Sequence, residues 1–69
     1  MQVAELEKLS IYLKKLFNSE EINLKKRPNK SDSVEFYKGE EFLGTIYKEE
    51  DEGEISYDLT ISILEVDIN

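Results

Sequence analysis

Cysteine and histidine are both absent from this chain of 69 residues. Without cysteine there is no disulfide and no thiol nucleophile, and without histidine there is no imidazole to act as a general base near neutral pH. The same absences remove the nitrogen and sulfur ligands of structural zinc sites. We therefore expect a non-enzymatic protein with no cofactor, in a reducing compartment such as the cytoplasm.

Long apolar runs are also missing. No stretch approaches the roughly 20 apolar residues of a membrane span. The opening "MQVAELEKLSIYLKKLF" contains Glu5 and Glu7, and it lacks the basic start and continuous apolar run of a signal peptide. We expect a single cytoplasmic domain over residues 1–69 that does not associate with a membrane.

Positive charge is scarce and unevenly distributed. The chain has 9 bases against 16 acids, which gives a formal net charge of −7. Residues 1–34 carry a net charge of +2, and residues 35–69 carry −9. Such a balance keeps a small protein soluble and repels nucleic acid and anionic membrane. The charge therefore favours an unidentified protein partner over either of those.

Apolar residues recur at helical spacing near the start of the chain. They are Val3, Leu6, Leu9, Leu13, Leu16 and Phe17. This stripe predicts an amphipathic helix over residues 3–17. Ile11 lies on the polar side and is expected to be exposed, and Asn18 suits a left-handed position that ends the helix.

The apolar spacing then changes to two, which is the period of a strand. Four strands are predicted, in "EINLKKR", "VEFY", "FLGTIY" and the run from Ile55. Pro28 with "NKSDS", Gly39 and "DEG" predict the connections. Beyond Ile63 the alternation changes phase, which requires a bulge, a bend or a strand end. The sequence thus predicts an α+β fold, with one N-terminal amphipathic helix packed on an antiparallel meander sheet of about four strands.

The sequence resembles a known family over nearly its whole length. An "LEKLSIYLKKLF" helix precedes "DSVEFYKGEEFLGTIYKEEDEGEISYDLTISILEVDI", in which "GEEFLG" and "EEDEGEISY" are the most distinctive pieces. It is similar to a short family of uncharacterised alphaproteobacterial proteins, a domain of unknown function. The resemblance implies a bacterial cytoplasmic protein and supplies no site residue.

An acidic stretch surrounds Gly53. In an EF-hand calcium loop glycine occupies position six, which would place Lys48 at position one, so that template fails. A looser divalent-cation site, a docking patch for a basic partner and a solvated hairpin tip remain open. We expect residues 49–54 to form an exposed connection between the third and fourth strands, without a specific metal site.

"KKRPNK", residues 25–30, is the only basic cluster. Tyr37 and Tyr47 are candidates to share a sheet with it, and basic residues beside sheet aromatics are typical of single-strand nucleic-acid platforms. The cluster is short and the chain is acidic, so nucleic acid is not the expected partner. The alternative function is a regulator that binds a divalent cation at residues 49–54 or nucleic acid at residues 25–30.

Strand three is predicted to be apolar on both faces, with Phe42 and Ile46 on one and Leu43 and Tyr47 on the other. One helix covers one face, and the second face then needs a partner; alternatively, these residues are simply good strand formers. We predict a small protein–protein interaction or assembly module, which includes a two-fold homodimer through the sheet. The predicted partner-binding residues are Leu43, Tyr47, Tyr37, Glu49, Glu50, Asp51 and Glu52.

Overall fold

Helix α1 spans Val3–Leu16 in the structure, a computed structural model that describes residues 1–69. Glu5 fixes its first turn, because the carboxylate accepts a hydrogen bond from the backbone N–H of Gln2 at 3.2 Å. This contact satisfies a donor that a helix start leaves without a partner. Asn18 has a φ of 52°, which confirms the predicted left-handed stop.

Four antiparallel strands follow the helix and form one sheet in the order β1-β2-β3-β4. They are β1 (Ile22–Arg27), β2 (Lys30–Lys38), β3 (Glu41–Asp51) and β4 (Glu54–Ile61), and a short helix, α2 (Glu65–Ile68), comes last. The predicted α+β meander is confirmed. The predicted change of phase near Ile63 corresponds to the end of β4. Neither helix combines the length and the apolar character that crossing a membrane requires.

Two residues join each pair of successive strands. Pro28 and Asn29 join β1 to β2, and Asn29 has a φ of 61°. A proline followed by a left-handed asparagine suits a tight turn. Lys30 already belongs to β2, so the predicted loop through "NKSDS" is wrong, because the turn is complete before its polar residues begin. Gly39, with a φ of 62°, forms the predicted hairpin turn between β2 and β3.

The predicted connection over residues 49–54 is shorter than expected. Residues 49–51 lie in β3, and only Glu52 and Gly53 form the turn. Both have positive φ, at 52° and 83°, as two-residue turns with the twist of a hairpin require. The acidic residues are exposed, as predicted, but most of them are strand residues.

A β-bulge in β3 changes the face that two of its residues occupy. The pairing of β2 with β3 shifts register between Phe36 and Tyr37 and leaves Leu43 unpaired. Leu43 then packs against the buried core, whereas Phe42 meets the ring of Tyr37 on the opposite face, with centroids 5.5 Å apart. The prediction that Leu43 shares a face with Tyr47 is wrong, because one extra residue reverses the alternation.

Gly44 allows β4 to approach β3 closely beside the bulge. A Cβ at this position would lie 1.8 Å from the backbone oxygen of Thr60. No side chain can occupy that space, so glycine is required there.

The core is small and lies beneath α1. Its buried apolar residues are Leu13, Ile22, Val34, Phe36 and Ile46. Helix α1 approaches β1 more closely than any other strand, and Phe17 places its ring 5.7 Å from that of Phe36. Ile11 is 66% exposed, as predicted. Burial is therefore concentrated where the helix lies over the first strands.

Candidate functional site

Helix α1 covers only part of the sheet face on which it lies. A helix with its side chains is roughly 10–12 Å wide, whereas neighbouring strands are about 4.8 Å apart. One helix therefore covers about two of the four strands. Because α1 lies toward β1, the same face of β4 is left partly open.

Strand β4 presents an apolar stripe on this open part. The stripe consists of Ile55, Tyr57, Leu59 and Ile61. Leu59 pairs with the buried Ile46, and Tyr57 and Leu59 pack against the core. Ile55 and Ile61, at the two ends, are 48% and 41% exposed. The apolar surface of β4 therefore begins in the core and continues into solvent.

A groove of about 500 Å³ lies between α1 and this stripe; we call it the inner groove. Its lining residues are Glu5, Lys8, Leu9, Tyr12, Leu13, Leu16, Ile46, Tyr57 and Leu59. Seven of the nine are hydrophobic, and the volume lies within the range of roughly 300–1,000 Å³ that is common for binding sites. The inner groove therefore suits an apolar occupant.

Glu5 holds one end of the inner groove together. One of its oxygens accepts the hydrogen bond from Gln2 at the helix start. The other accepts a hydrogen bond from the Tyr57 hydroxyl and forms an ion pair with the Lys48 ammonium at 2.8 Å. These contacts join α1, β3 and β4, so they tie the helix to the half of the sheet that it does not cover.

The same contacts fix the charge of this cluster. Hydrogen bonds from Lys48 and then from Tyr57 lower the pKa of Glu5 to about 2. The bond to Glu5 raises the pKa of Lys48 and is the largest cause of the raised pKa of Tyr57. A carboxylate that stays ionised to such low pH holds no proton to donate at neutral pH. Glu5 is therefore a structural acceptor.

Lys8 and Tyr12 form the solvent-exposed rim of the inner groove. Tyr12 is 60% exposed. Lys8 has no ion pair, since the one ion pair of the structure joins Lys48 to Glu5. The rim thus presents an aromatic ring and an unpaired positive charge, which suit a partner that combines apolar and acidic side chains.

Residues 62–69, which we call the apolar segment, follow β4 and pack on nothing. Helix α2 comes close to no other element. The exposed aliphatic side chains are Ile63 (71%), Leu64 (60%), Val66 (74%) and Ile68 (76%). Single exposed apolar residues are ordinary, but this segment exposes four aliphatic side chains within six positions.

The opposite face of the sheet, the outer face, carries the two predicted aromatic binding residues, Tyr37 and Tyr47. Tyr37 packs edge-on against Phe42, and the Lys25 ammonium lies 4.5 Å from the centre of the Tyr37 ring. Tyr47 is 41% exposed and lies at the other end of the β2–β3 pairing. Leu43 faces the core instead. The structure therefore brings Tyr37 together with Phe42, and not with Leu43 or Tyr47.

The predicted acidic docking residues lie along the β3–β4 hairpin. Glu49, Glu50, Asp51 and Glu52 are all exposed. Successive strand residues point to opposite faces, so Glu50 is directed away from Glu49 and Asp51. No group of three or more acidic side chains converges in a position to hold a metal ion. A binding role for this hairpin stays a prediction.

Some side chains of the basic cluster, residues 25–30, have partners within the molecule. Arg27 donates from Nη1 to the Ser33 hydroxyl at 3.0 Å. Lys25 lies over the Tyr37 ring. Two of the cationic side chains in residues 25–30 therefore already have partners on the sheet.

The comparisons with known proteins give one match. Residues 5–67 match the model of a family described as a protein of unknown function (DUF3126). The chain belongs to this family. The predicted resemblance to a family of unknown function is thereby confirmed, and the matched range includes the inner groove and most of the apolar segment of this DUF3126 chain. No curated protein and no solved structure matches the chain.

Sequence reasoning missed the inner groove in this DUF3126 chain. Its polar end joins Glu5 to Tyr57, which are 52 positions apart, and no local pattern predicts such a contact. The alternation of apolar residues in β4 was visible in the sequence. It identified a strand, but the degree to which one helix covers that strand depends on tertiary packing.

Proposed function

We propose that this chain is a small protein–protein interaction module whose inner groove receives an apolar segment of a protein. The observation that supports this most is the open apolar face of β4 beside α1. Burial of apolar surface drives most protein association. The contacts of Glu5 with Lys48 and Tyr57 hold the walls in place, and a preformed site loses less entropy on binding.

The proposed setting is the cytoplasm of a bacterium. The resemblance to alphaproteobacterial proteins supports the origin, and the lack of cysteine is in keeping with a reducing compartment. The net charge of −7 disfavours nucleic acid and anionic membrane. A protein is therefore the proposed partner.

The proposed role is binding without catalysis. The chain has neither histidine nor cysteine. The one carboxylate that lines the inner groove, Glu5, has a lowered pKa, whereas a carboxylic acid that donates protons at neutral pH needs a raised one. The groove therefore offers apolar surface and hydrogen bonds, with no group set to transfer a proton.

A photo-crosslinking experiment tests the groove in the chain of 69 residues. A benzophenone amino acid replaces Tyr12, which lines the groove, or Ile11, which does not and is similarly exposed, at 66% against 60%. Irradiation of bacterial cells that make either variant should give protein adducts from position 12 and few from position 11. Equal adducts from both positions, or none from position 12, would contradict the proposal.

The adducts also report the partner class. A second copy of this chain adds 8.1 kDa, and any other protein gives a different mass. Tandem mass spectrometry then identifies the crosslinked peptide. An adduct to a peptide rich in aliphatic residues supports docking of an apolar segment, and an adduct to nucleic acid or lipid would overturn the proposal.

A further inference from the structure

The apolar segment and the inner groove have complementary chemistry. Within the segment, Leu64 and Ile68 are four positions apart, so they lie on one face of a helical turn. Glu65 and Asp67 alternate with the aliphatic side chains. The inner groove offers apolar walls and, on its rim, the unpaired Lys8. Both aliphatic and acidic groups of the segment therefore have a counterpart in the groove.

The polar end of the groove does not compete for these acids. The Lys48 ammonium is already paired with Glu5 at 2.8 Å. Lys8 is the one base among the residues that line the groove. An acidic group that enters the groove therefore has one free cation to meet, and it lies on helix α1.

The path of the chain favours a second copy over the chain's own groove. Tyr57 and Leu59 of β4 line the groove, and the apolar segment leaves β4 after Ile61, at the end of the strand beyond Leu59. Entry into its own groove would require the segment to reverse direction at once, and helix α2 comes close to no other element. Entry into the groove of another copy requires no reversal. Because each copy has one groove and one segment, a reciprocal exchange about a two-fold axis fills both grooves and covers both segments.

We infer that residues 62–69 of one copy dock in the inner groove of a second copy, and that the exchange is reciprocal. The inference rests on the proposed function and names its partner. It differs from the dimer predicted from the sequence, because the contact uses the helix side of β4 instead of the outer face with Tyr47. The small core, with five buried apolar residues, leaves this surface available for association.

Sedimentation equilibrium of the full chain is the first test. We expect a monomer–dimer equilibrium between about 1 and about 500 µM, the range in which modest interfaces assemble. Leu64→Asp with Ile68→Asp should weaken the dimer about tenfold or more, since each substitution places a charge in an apolar contact. Leu64 and Ile68 are 60% and 76% exposed, so the variant should keep the fold of the monomer.

A matched pair of helix variants tests the groove side. Tyr12→Glu should weaken the dimer by a similar factor, and Ile11→Glu should leave it unchanged, because the two positions share exposure and helix but only Tyr12 lines the groove. Both variants carry the same added charge. A dimer that responds equally to both would overturn the inference.

A charge exchange tests the pairing of Lys8 with the acidic residues. Lys8→Glu changes the net charge from −7 to −9, whereas Glu65→Lys with Asp67→Lys changes it to −3. If only overall repulsion mattered, the second variant would dimerise more tightly than the wild type. We expect both variants to be weaker and their combination to recover most of the lost affinity. A tighter dimer for Glu65→Lys with Asp67→Lys would contradict the inference.

The remaining outcomes separate this inference from the proposed function. A chain that stays monomeric over the whole range, with position-12 adducts to a different protein, overturns the exchange and supports the interaction module. A monomer without such adducts overturns both. A wild-type dimer that Tyr47→Glu dissociates and Tyr12→Glu does not would place the interface on the outer face, and it would overturn the exchange.

Discussion

The β1–β2 half of the sheet and the half that contains β4 carry similar apolar side chains on the same face, yet no residue of β4 is fully buried. Val34 and Phe36 in β2 are 1% and 0% exposed, whereas Ile55 and Ile61 in β4 are 48% and 41% exposed. The difference comes from the position of α1, which lies over β1. Coverage by the helix, rather than the hydrophobicity of the strand, decides which residues form the core.

The two halves of the sheet therefore have different roles. The covered half supplies most of the stability of a domain whose size allows burial of only about 60% of the unfolded surface. The open half adds an apolar surface that stability alone does not require. An apolar surface of that kind is typical of an interaction site, so substitutions in the two halves should affect different measurements.

The largest expected effect is in the covered half. Phe36→Ala removes a ring that is completely buried and packs against Phe17, and it should lower the free energy of unfolding by about 3–5 kcal/mol. Ile61→Ala, at 41% exposure, should lower it by less than about 1.5 kcal/mol in the dilute monomer. Urea unfolding followed by circular dichroism measures both values. Equal losses would mean that the two halves contribute alike.

A second pair of substitutions compares the buried and the exposed side of helix α1. Leu13 is 5% exposed and Ile11 is 66% exposed. Leu13→Ala should cost roughly 2–5 kcal/mol of unfolding free energy, and Ile11→Ala well under about 1 kcal/mol. The same urea titration applies. A concentration-dependent loss in Ile11→Ala would show instead that the outer side of α1 belongs to an interface.

A smaller, pH-dependent effect tests the contacts that link the halves. Because the pKa of Glu5 falls from 4.5 to about 2 on folding, its contribution to stability is complete above pH 4.5 and is lost as the pH falls toward 2. The pKa values of Lys48 and Tyr57 are raised, so these two groups affect stability at high pH. Their contributions are complete below the ordinary pKa of each group and are lost as the pH rises through the raised pKa.

Glu5→Gln should therefore flatten the decline in stability between pH 4.5 and 2. Thermal unfolding at a series of pH values measures this decline. Glu7→Gln is the matched control, since Glu7 is exposed on the same helix and makes no ion pair. A decline that persists unchanged in Glu5→Gln would show that other carboxylates cause it.

The smallest effect is expected in the β3–β4 hairpin. Glu50→Gln, Asp51→Asn and Glu52→Gln together should preserve or slightly raise the stability, because Asp51 lies directly opposite Glu54 in the ladder and like charges repel there. Thermal unfolding checks the stability, and calorimetric titration of the wild type with calcium checks for a cation site. A large loss of stability, or saturable binding at micromolar calcium, would contradict the prediction.

The features that the sequence predicted correctly depend on local patterns. The stripe of α1, the left-handed Asn18 and the turn at Gly39 are each set by neighbouring residues, and the meander follows from short connections. The bulge at Leu43 was not predictable in this way, because it depends on how β2 and β3 pair. As a result, Leu43 was predicted on the wrong face of the sheet. The predicted binding residues therefore do not lie together in the fold.

The candidate site shows the same limit more clearly. The inner groove exists because α1 docks to one side and because Glu5 reaches Lys48 and Tyr57 on distant strands. The spacing of apolar residues in the sequence predicts neither the position of α1 nor the contacts of Glu5. The exposed apolar segment was visible as the run after Ile63, but only the structure shows that nothing in the chain covers it.

The most direct test of the central claim is an isotope-filtered nuclear Overhauser measurement on a mixed dimer. One copy carries ¹³C-labelled methyl groups, and the other is unlabelled. We expect intermolecular contacts from the methyl groups of Leu64 and Ile68 to Leu9, Tyr12 and Leu59 in the other copy. Contacts of the segment with its own groove alone, or contacts between copies confined to Tyr37 and Tyr47 on the outer face, would contradict it.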